Sequence, residues 1–367
     1  MDKRSTGLIL GLLTLLTVFS VSPLRNVFSP DALVRAAFAI PTASEGNDSG
    51  SKNPGASQDD YVMKLGLGGG LCEAATHIAI INGYLKEEGI NYEVINFLST
   101  ADLPAMLASG QLDANQMMLA SLGVLLNSGF DIRVALGLHK GCLVIVVPAD
   151  SKIESVKDLK GKRIGVPGLG STPMVISQRA LARAGIDSSV ESGNVEFLAF
   201  NAGDLGVALK NGSVDAVALI EPAASLLVES GYAKVIFDLG SDPDYKDENC
   251  CVATITPKFL EEHPDLAARY VRALQKACEF VRKHPEETAR LQREHNMCNL
   301  GNLEINARLL KSYNYKGSVS EGREAFRTNL RDLQNLGLLG KQYDVDQIVE
   351  KLYIRLPGVE NEIDLDI

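Results

Sequence analysis

An α/β protein of two lobes is what this sequence predicts, each lobe a parallel or mixed sheet flanked by helices, with two hinge crossings and a helical C-terminal segment. Three observations predict it. Short apolar strands alternate with amphipathic helices from Val62 onward. A unit of strand, glycine turn and helix occurs twice, at Val62–Ile81 and Arg163–Ala184. Beyond Pro257 the pattern turns wholly helical. At 367 residues with 46% hydrophobic content, the chain has core material for two lobes of ordinary domain size.

The elements follow in order. Lys3 and Arg4 precede an apolar run from Gly7 to Val21, a charged region and a hydrophobic region in the order of an export signal. At about fifteen residues the run is short of the ~20 a spanning helix needs, so residues 1–40 read as a cleaved signal peptide, with a retained N-terminal anchor as the alternative. The cut falls after Val18-Phe19-Ser20 or after Ala37-Phe38-Ala39, and no cysteine precedes Cys72 to carry a lipid. Residues 41–60, rich in Ser, Gly, Asn, Asp and Pro, read as a flexible linker. Lobe one then takes residues 62–146, with strands near Tyr92–Phe97, Ala114–Met118, Arg133–Leu138 and Leu143–Pro148. Lobe two takes 147–251, with strands near Arg163–Val166, Val195–Phe200, Ala216–Ile220 and Lys234–Asp238. Cys250–Thr256 is expected to return beside Leu143–Val147 as the second hinge crossing, and 252–367 completes lobe one. In Pro264–Lys283 the residues Leu266, Ala267, Tyr270, Val271, Leu274, Ala277, Cys278 and Val281 form a helical stripe. Three further helices, near Leu303–Tyr313, Ser320–Leu336 and Val345–Leu352, brace the lobes.

The two glycine turns carry the binding expectation. Gly68-Gly69-Gly70 opens one helix and Gly168-Leu169-Gly170-Ser171-Thr172 another, and glycine lets a backbone approach a ligand while the helix aims free N–H groups at it. Neither turn has the spacing of a dinucleotide or phosphate-binding loop. The segments Gly83-Tyr84-Leu85-Lys86-Glu87-Glu88-Gly89-Ile90, Gly110-Gln111-Leu112-Asp113-Ala114, Asp158-Leu159-Lys160-Gly161-Lys162 and Gly212-Ser213-Val214-Asp215-Ala216 follow in that order. Through them the chain, from about Val62 to Asn335, resembles the nitrate/sulfonate/taurine-type periplasmic solute-binding proteins, the extracytoplasmic receptors of ABC importers. The resemblance implies a type 2 periplasmic-binding fold, an exported location in the periplasm or at the cell surface, a ligand between the lobes, a membrane permease as partner, a monomer and no catalytic residues.

On that architecture the expected ligand-binding residues are Gly70, Cys72, Met117, Met118, His139, Cys142, Gly170, Ser171, Thr172, Glu221, Cys250 and Cys251. Sulfur dominates, and thiolate with thioether suits soft metals, so Cys72, Cys142, Cys250 and Cys251 form a candidate metal set. The same six cysteines could instead pair as disulfides in an exported protein, and the two readings stand side by side. Cys278 and Cys298 read as structural, and His77 as a packed core histidine. No cofactor is expected beyond a soft metal bound as ligand.

A net charge of −10 without a basic run excludes nucleic acid as partner, and the absence of Trp removes stacking platforms for large planar ligands. The expected cleft also departs from the family's oxyanion receptors, since Lys140 is the one cation foreseen near it. Thiamin-pyrimidine synthases resemble the same fold, and Cys250-Cys251 invites that comparison; a ligand-sensing module is a further alternative. The export signal and the lack of Gly-x-Ser-x-Gly or His-Glu-x-x-His motifs favour binding.

Overall fold

Residues 61–97, 102–365 and 367 are described by the computed structural model, so the expected export segment (1–40) and linker (41–60) lie outside the described residues. The strands, in chain order, are β1 (Val62–Leu67), β2 (Asn91–Asn96), β3 (Ala114–Met118), β4 (Arg133–Lys140), β5 (Leu143–Pro148), β6 (Lys162–Val166), β7 (Val195–Ala199), β8 (Ala216–Ile220), β9 (Ala233–Asp238) and β10 (Asn249–Ile255). They form two five-stranded sheets, β2-β1-β3-β10-β4 in lobe one and β7-β6-β8-β5-β9 in lobe two.

Within each sheet the strands built by strand-helix-strand units run parallel: β1 with β2 and β3, and β6 with β7 and β8. The strands next to a lobe crossing run antiparallel to their neighbours. β10 is antiparallel to β3 and β4, and β5 to β8 and β9. Their direction is set by where the chain enters the lobe rather than by a crossover helix. Two expectations are corrected here. The apolar run Leu143–Pro148 belongs to the second sheet, where its valines and isoleucine are buried, so the first crossing is at Gly141–Cys142 and not after residue 146. The returning strand pairs with β3 and β4 rather than with Leu143–Val147, because β4 leaves lobe one at the same edge where β10 re-enters it.

The helices are α1 (Ala74–Ile81), α2 (Tyr84–Glu87), α3 (Leu103–Ala108), α4 (Leu119–Leu126), α5 (Thr172–Arg183), α6 (Leu205–Lys210), α7 (Ala223–Glu229), α8 (Pro257–Glu262), α9 (Pro264–Lys283), α10 (Pro285–Glu294), α11 (Leu303–Ser312), α12 (Val319–Asn335) and α13 (Val345–Leu352). The apolar stripe of α9 is buried throughout, as its periodicity requires. Helix α10 was not foreseen, because its buried face is Pro285, Thr288, Ala289 and Gln292 and carries no apolar stripe. Side-chain caps from Asn302 to Ile305 N (2.8 Å), Ser318 to Glu321 N (3.2 Å) and Asp344 to Gln347 N (3.1 Å) start α11, α12 and α13.

The C-terminal helices bridge the lobes. Arg179 of α5, almost fully buried, reaches Asp332 of α12 at 2.7 Å and Glu248, at the second crossing, at 2.8 Å. Arg308 of α11 meets Glu229 of α7 at 2.7 Å. Ser121 of α4 and Thr172 of α5 touch through their hydroxyls. Leu119, Thr172, Arg179, Glu248, Asn249 and Cys250 line a cavity of about 10 Å³ between the lobes, room for roughly one water. The described arrangement is a closed one.

Candidate functional site

The thiols converge at the crossings. Cys72 lies in the short 3₁₀ turn Leu71–Glu73 after β1, His139 at the end of β4, Cys142 at the start of the first crossing into β5, and Cys251 on β10. One ligand atom from each lies within 4.8 Å of all the others, and all four residues are buried. Register explains part of this. Cys251 stands opposite Met118 on β3 and opposite His139 on β4, so the three share one face at the edge of the sheet that meets the crossing. A register shift between Asn249 and Cys251 breaks the strict alternation of β10 and lets the adjacent Cys250 approach as well. Its sulfur sits 3.1 Å from that of Cys142. All six cysteines are free thiols.

Each member is held by neighbours. The carbonyl of Cys72 accepts hydrogen bonds from Tyr315 Oη (2.7 Å) and Gln116 Nε2 (2.9 Å). His139 lies against the rings of Tyr313 and Tyr315, at 5.4 and 4.8 Å between centroids. Its Nδ1 is 3.0 Å from the carbonyl of Lys140, which fixes Nδ1 as the donor and leaves Nε2 facing the thiols. That Nε2 is buried without a hydrogen-bond partner. Cys142 adopts φ +77°, a left-handed conformation rare for a residue with a Cβ. Hydrogen bonding to the Cys142 thiol, and then to that of Cys251, holds the Cys72 thiol well below its ordinary pKa, and the Cys142 and Cys251 thiols do the same for Cys250. Cys142 is pushed up by its bond to Cys250, and Cys251 by burial. Burial pulls His139 down, but the Cys72 thiol and the charges of Cys250 and Cys72 outweigh it and raise the imidazole. Three sulfurs and one imidazole nitrogen, which would shed its proton to bind, make a donor set for a soft or borderline cation.

The first glycine turn is filled from within. Glu73 accepts from Gly68 N (3.0 Å) and Gly70 N (3.0 Å) through its two carboxylate oxygens. The cradle expected at Gly70 is therefore occupied by the chain's own carboxylate, whose pKa burial and the charge on Cys72 raise to about 8. His77 is packed beneath it, with Nε2 on Gly68 O (3.1 Å) and Nδ1 on Gln292 Nε2 (2.8 Å), and burial lowers its pKa to about 4.

A profile of the family described as NMT1/THI5 like matches residues 74–288. The chain belongs to this family. A Bacillus subtilis (strain 168) protein named for binding aliphatic sulfonates is 29% identical over 209 residues, which are 56% of this chain and 60% of that protein. The 4-amino-5-hydroxymethyl-2-methylpyrimidine phosphate synthase of Schizosaccharomyces pombe is 25% identical over 235 residues, 58% of this chain and 62% of the synthase. The chain thus spans about 60% of the length of these relatives. Among solved structures, the alkanesulfonate-binding protein of Xanthomonas axonopodis pv. citri bound to MOPS superposes with TM-score 0.65 at 17% identity, covering 80% of this chain and 98% of that one. That likeness establishes the two-lobe periplasmic-binding fold.

Set on the NMT1/THI5-like fold, the remaining residues fall into place. Met117 is buried opposite Val252 and Met118 half-buried opposite Cys251. Gly170, at φ +77°, is exposed, and its N–H points at Met174 Sδ (3.2 Å). Ser171 takes the N-cap position of α5 without a side-chain capping bond, and Thr172 is turned toward Ser121 across the lobes. Glu221 lies at the first crossing, with its N–H on the carbonyl of Cys142 (3.0 Å), but its carboxylate is engaged locally. It accepts from Ser225 N and Ser225 Oγ, both at 2.9 Å, capping the start of α7, and burial raises its carboxyl pKa. In the four-residue thiol set His139 takes the place that the sequence reading gave to Cys250. Arg179 was missed: it lines the inter-lobe cavity beside Cys250, with its charge met by Glu248 and Asp332, while Lys140 pairs with Glu321 at 3.1 Å. Tyr313 and Tyr315 were missed too, since they follow a helix with no chemistry of its own and reach His139 only through the tertiary fold.

Proposed function

We propose that this protein is the extracytoplasmic substrate-binding component of an ABC import system. A small solute enters between the lobes, the closed form is selected by its higher affinity, and that form docks as a monomer on a membrane permease. The observation that carries this reading is the junction itself. Two crossings, at Gly141–Cys142 and Glu248–Asn249, join two sheets whose mutual contacts include the breakable polar pairs Arg179–Asp332, Arg308–Glu229 and Ser121–Thr172. The family and the sulfonate-binding relatives support it.

Oxyanion cargo is poorly supported, because Glu73 fills one glycine cradle and both nearby cations are paired. A small soft solute at the buried thiol cluster, reached past Cys250 from the inter-lobe cavity, is the better supported cargo. The synthase relative keeps one second reading in view, an enzyme that forms a pyrimidine phosphate. Small-angle scattering and thermal melting of the exported chain, with nitrate, an alkanesulfonate and thiophilic cations, test the receptor reading. A solute that raises the melting temperature and shrinks the radius of gyration is expected. Failure of every solute class to compact the protein, or formation of a pyrimidine phosphate by the purified chain, counts against it.

A further inference from the structure

The geometry points to a four-coordinate site for a thiophilic d¹⁰ cation, Zn²⁺ or Cu⁺, held by the sulfurs of Cys72, Cys142 and Cys251 and by Nε2 of His139, and to that cation as the solute the closed lobes capture. This rests on the binding-component reading above and names its cargo.

The distances suit such an ion. The four ligand atoms lie within 4.8 Å of one another, whereas a tetrahedron with metal–sulfur bonds of about 2.3 Å has edges of about 3.8 Å, so a contraction of about an ångström completes it. The donors are already oriented. His139 offers Nε2 because Nδ1 is committed to the Lys140 carbonyl, an outer hydrogen bond of the kind that fixes the tautomer of a ligating imidazole. That Nε2 is buried, meets no other hydrogen-bond partner and lies within 4.8 Å of the three sulfurs. Cys72 is anchored through its carbonyl by Gln116 and Tyr315, and Cys142 is held in a backbone conformation that a cysteine rarely adopts. No carboxylate belongs to the set, which disfavours Mg²⁺ and Ca²⁺.

Placement makes the ion cargo rather than a fixture of one lobe. Cys72, His139 and Cys251 belong to lobe one, while Cys142 follows Gly141 and leads directly into β5 of lobe two. Cys142 sits on the crossing itself, so bending there, which changes its own backbone dihedrals, re-aims its sulfur relative to the other three, and the four-donor site is complete in the closed form, so that binding favours closure. Each thiol that coordinates gives its proton to solvent as its sulfur takes the metal bond, with no redox change.

The test uses the whole exported chain, purified under reductant, its six thiols counted and its metal stripped with a chelator. Addition of Co²⁺ as a probe is expected to give thiolate-to-metal charge transfer and tetrahedral d–d bands saturating at one equivalent, displaced by one equivalent of Zn²⁺ or Cu⁺. Cys72→Ser, Cys142→Ser and Cys251→Ser should each weaken binding at least ~100-fold, while Cys278→Ser and Cys298→Ser leave it unchanged, with circular dichroism confirming that all five fold. Zn²⁺ or Cu⁺ should also shrink the radius of gyration of the wild type and not of Cys142→Ser. Absence of stoichiometric binding by protein with free thiols, or binding indifferent to the three substitutions, overturns the site. Binding without compaction overturns the ion as cargo. Compaction by an alkanesulfonate instead of a metal leaves the receptor reading standing and removes this one.

Discussion

The turns after β1 and after β6 start from one sequence pattern, a strand running through glycines into a helix, and end in opposite states. In the first, Glu73 takes the N–H groups of Gly68 and Gly70, and His77 takes the carbonyl of Gly68, with Gln292 behind it. In the second, Gly170 is exposed and its N–H meets only the weak acceptor Met174 Sδ (3.2 Å), Ser171 N returns to Gly168 O (3.2 Å), and Thr172 faces the other lobe. A glycine turn is a ligand cradle only when its own chain leaves the donors unused. The first turn is a rigid mount that presents Cys72 to the thiol cluster, and the second is the surface that lobe two carries to and from lobe one.

The comparison breaks most visibly at Glu73. Glu73→Ala strands two buried backbone donors and should cost about 3 kcal/mol, read as a lower denaturation midpoint, since each buried donor left unsatisfied costs roughly 1–3 kcal/mol; Glu73→Gln, which keeps one acceptor oxygen, should cost about half as much. A loss below about 1 kcal/mol would mean that the first turn is as open as the second. His77 sharpens the same point through pH. Its pKa in the folded chain is about 4 against an ordinary 6.5, so between those values the unfolded chain binds a proton that the folded chain refuses. The stability from keeping it neutral is full above pH 6.5 and is lost as pH falls toward 4, by about 3 kcal/mol in all. Urea midpoints measured across that window should fall with pH in the wild type and fall less in His77→Gln; equal slopes would remove the buried neutral histidine from the argument.

Why the first turn closes was partly legible. Glu73 stands three residues after Gly70, the spacing at which an acidic side chain reaches back to the start of its own helix, and reading Gly68-Gly69-Gly70 as a ligand cradle overlooked it. Strands were legible because their apolar runs are short and bounded, and α9 because its stripe is long. Helix α10 was not, since Gln292 buries its amide against Leu71 and His77 and Thr288 turns its hydroxyl onto the carbonyl of His284, in place of an apolar face. At the site the residue types were legible and their selection was not. The adjacent Cys250 and Cys251 are told apart only by the register shift in β10, and His139 is admitted to the cluster by a carbonyl one residue away. Tyr315 acts on Cys72 from 243 residues along the chain and Asp332 on Arg179 from 153, separations that no local pattern encodes.

Smaller effects separate the turns further. A Cβ at Gly68 would lie 2.6 Å from Glu73 Oε2 and 3.0 Å from the ring of Phe97, so Gly68→Ala overpacks and should cost about 2 kcal/mol. A Cβ at Gly170 meets nothing within 4 Å, and Gly170→Ala should cost about 1 kcal/mol, all of it from the positive φ. Equal losses in thermal denaturation would place the two turns in the same packing environment. Ser171→Ala is the finest probe. An N-cap serine that bonds its helix is worth roughly 1 kcal/mol, but the Ser171 hydroxyl makes no such bond, so its removal should shift stability by less than about 0.5 kcal/mol. A loss above about 1 kcal/mol would show that the second turn, like the first, is satisfied by its own side chain, and the contrast between mount and moving surface would fail at the residue where it is easiest to measure.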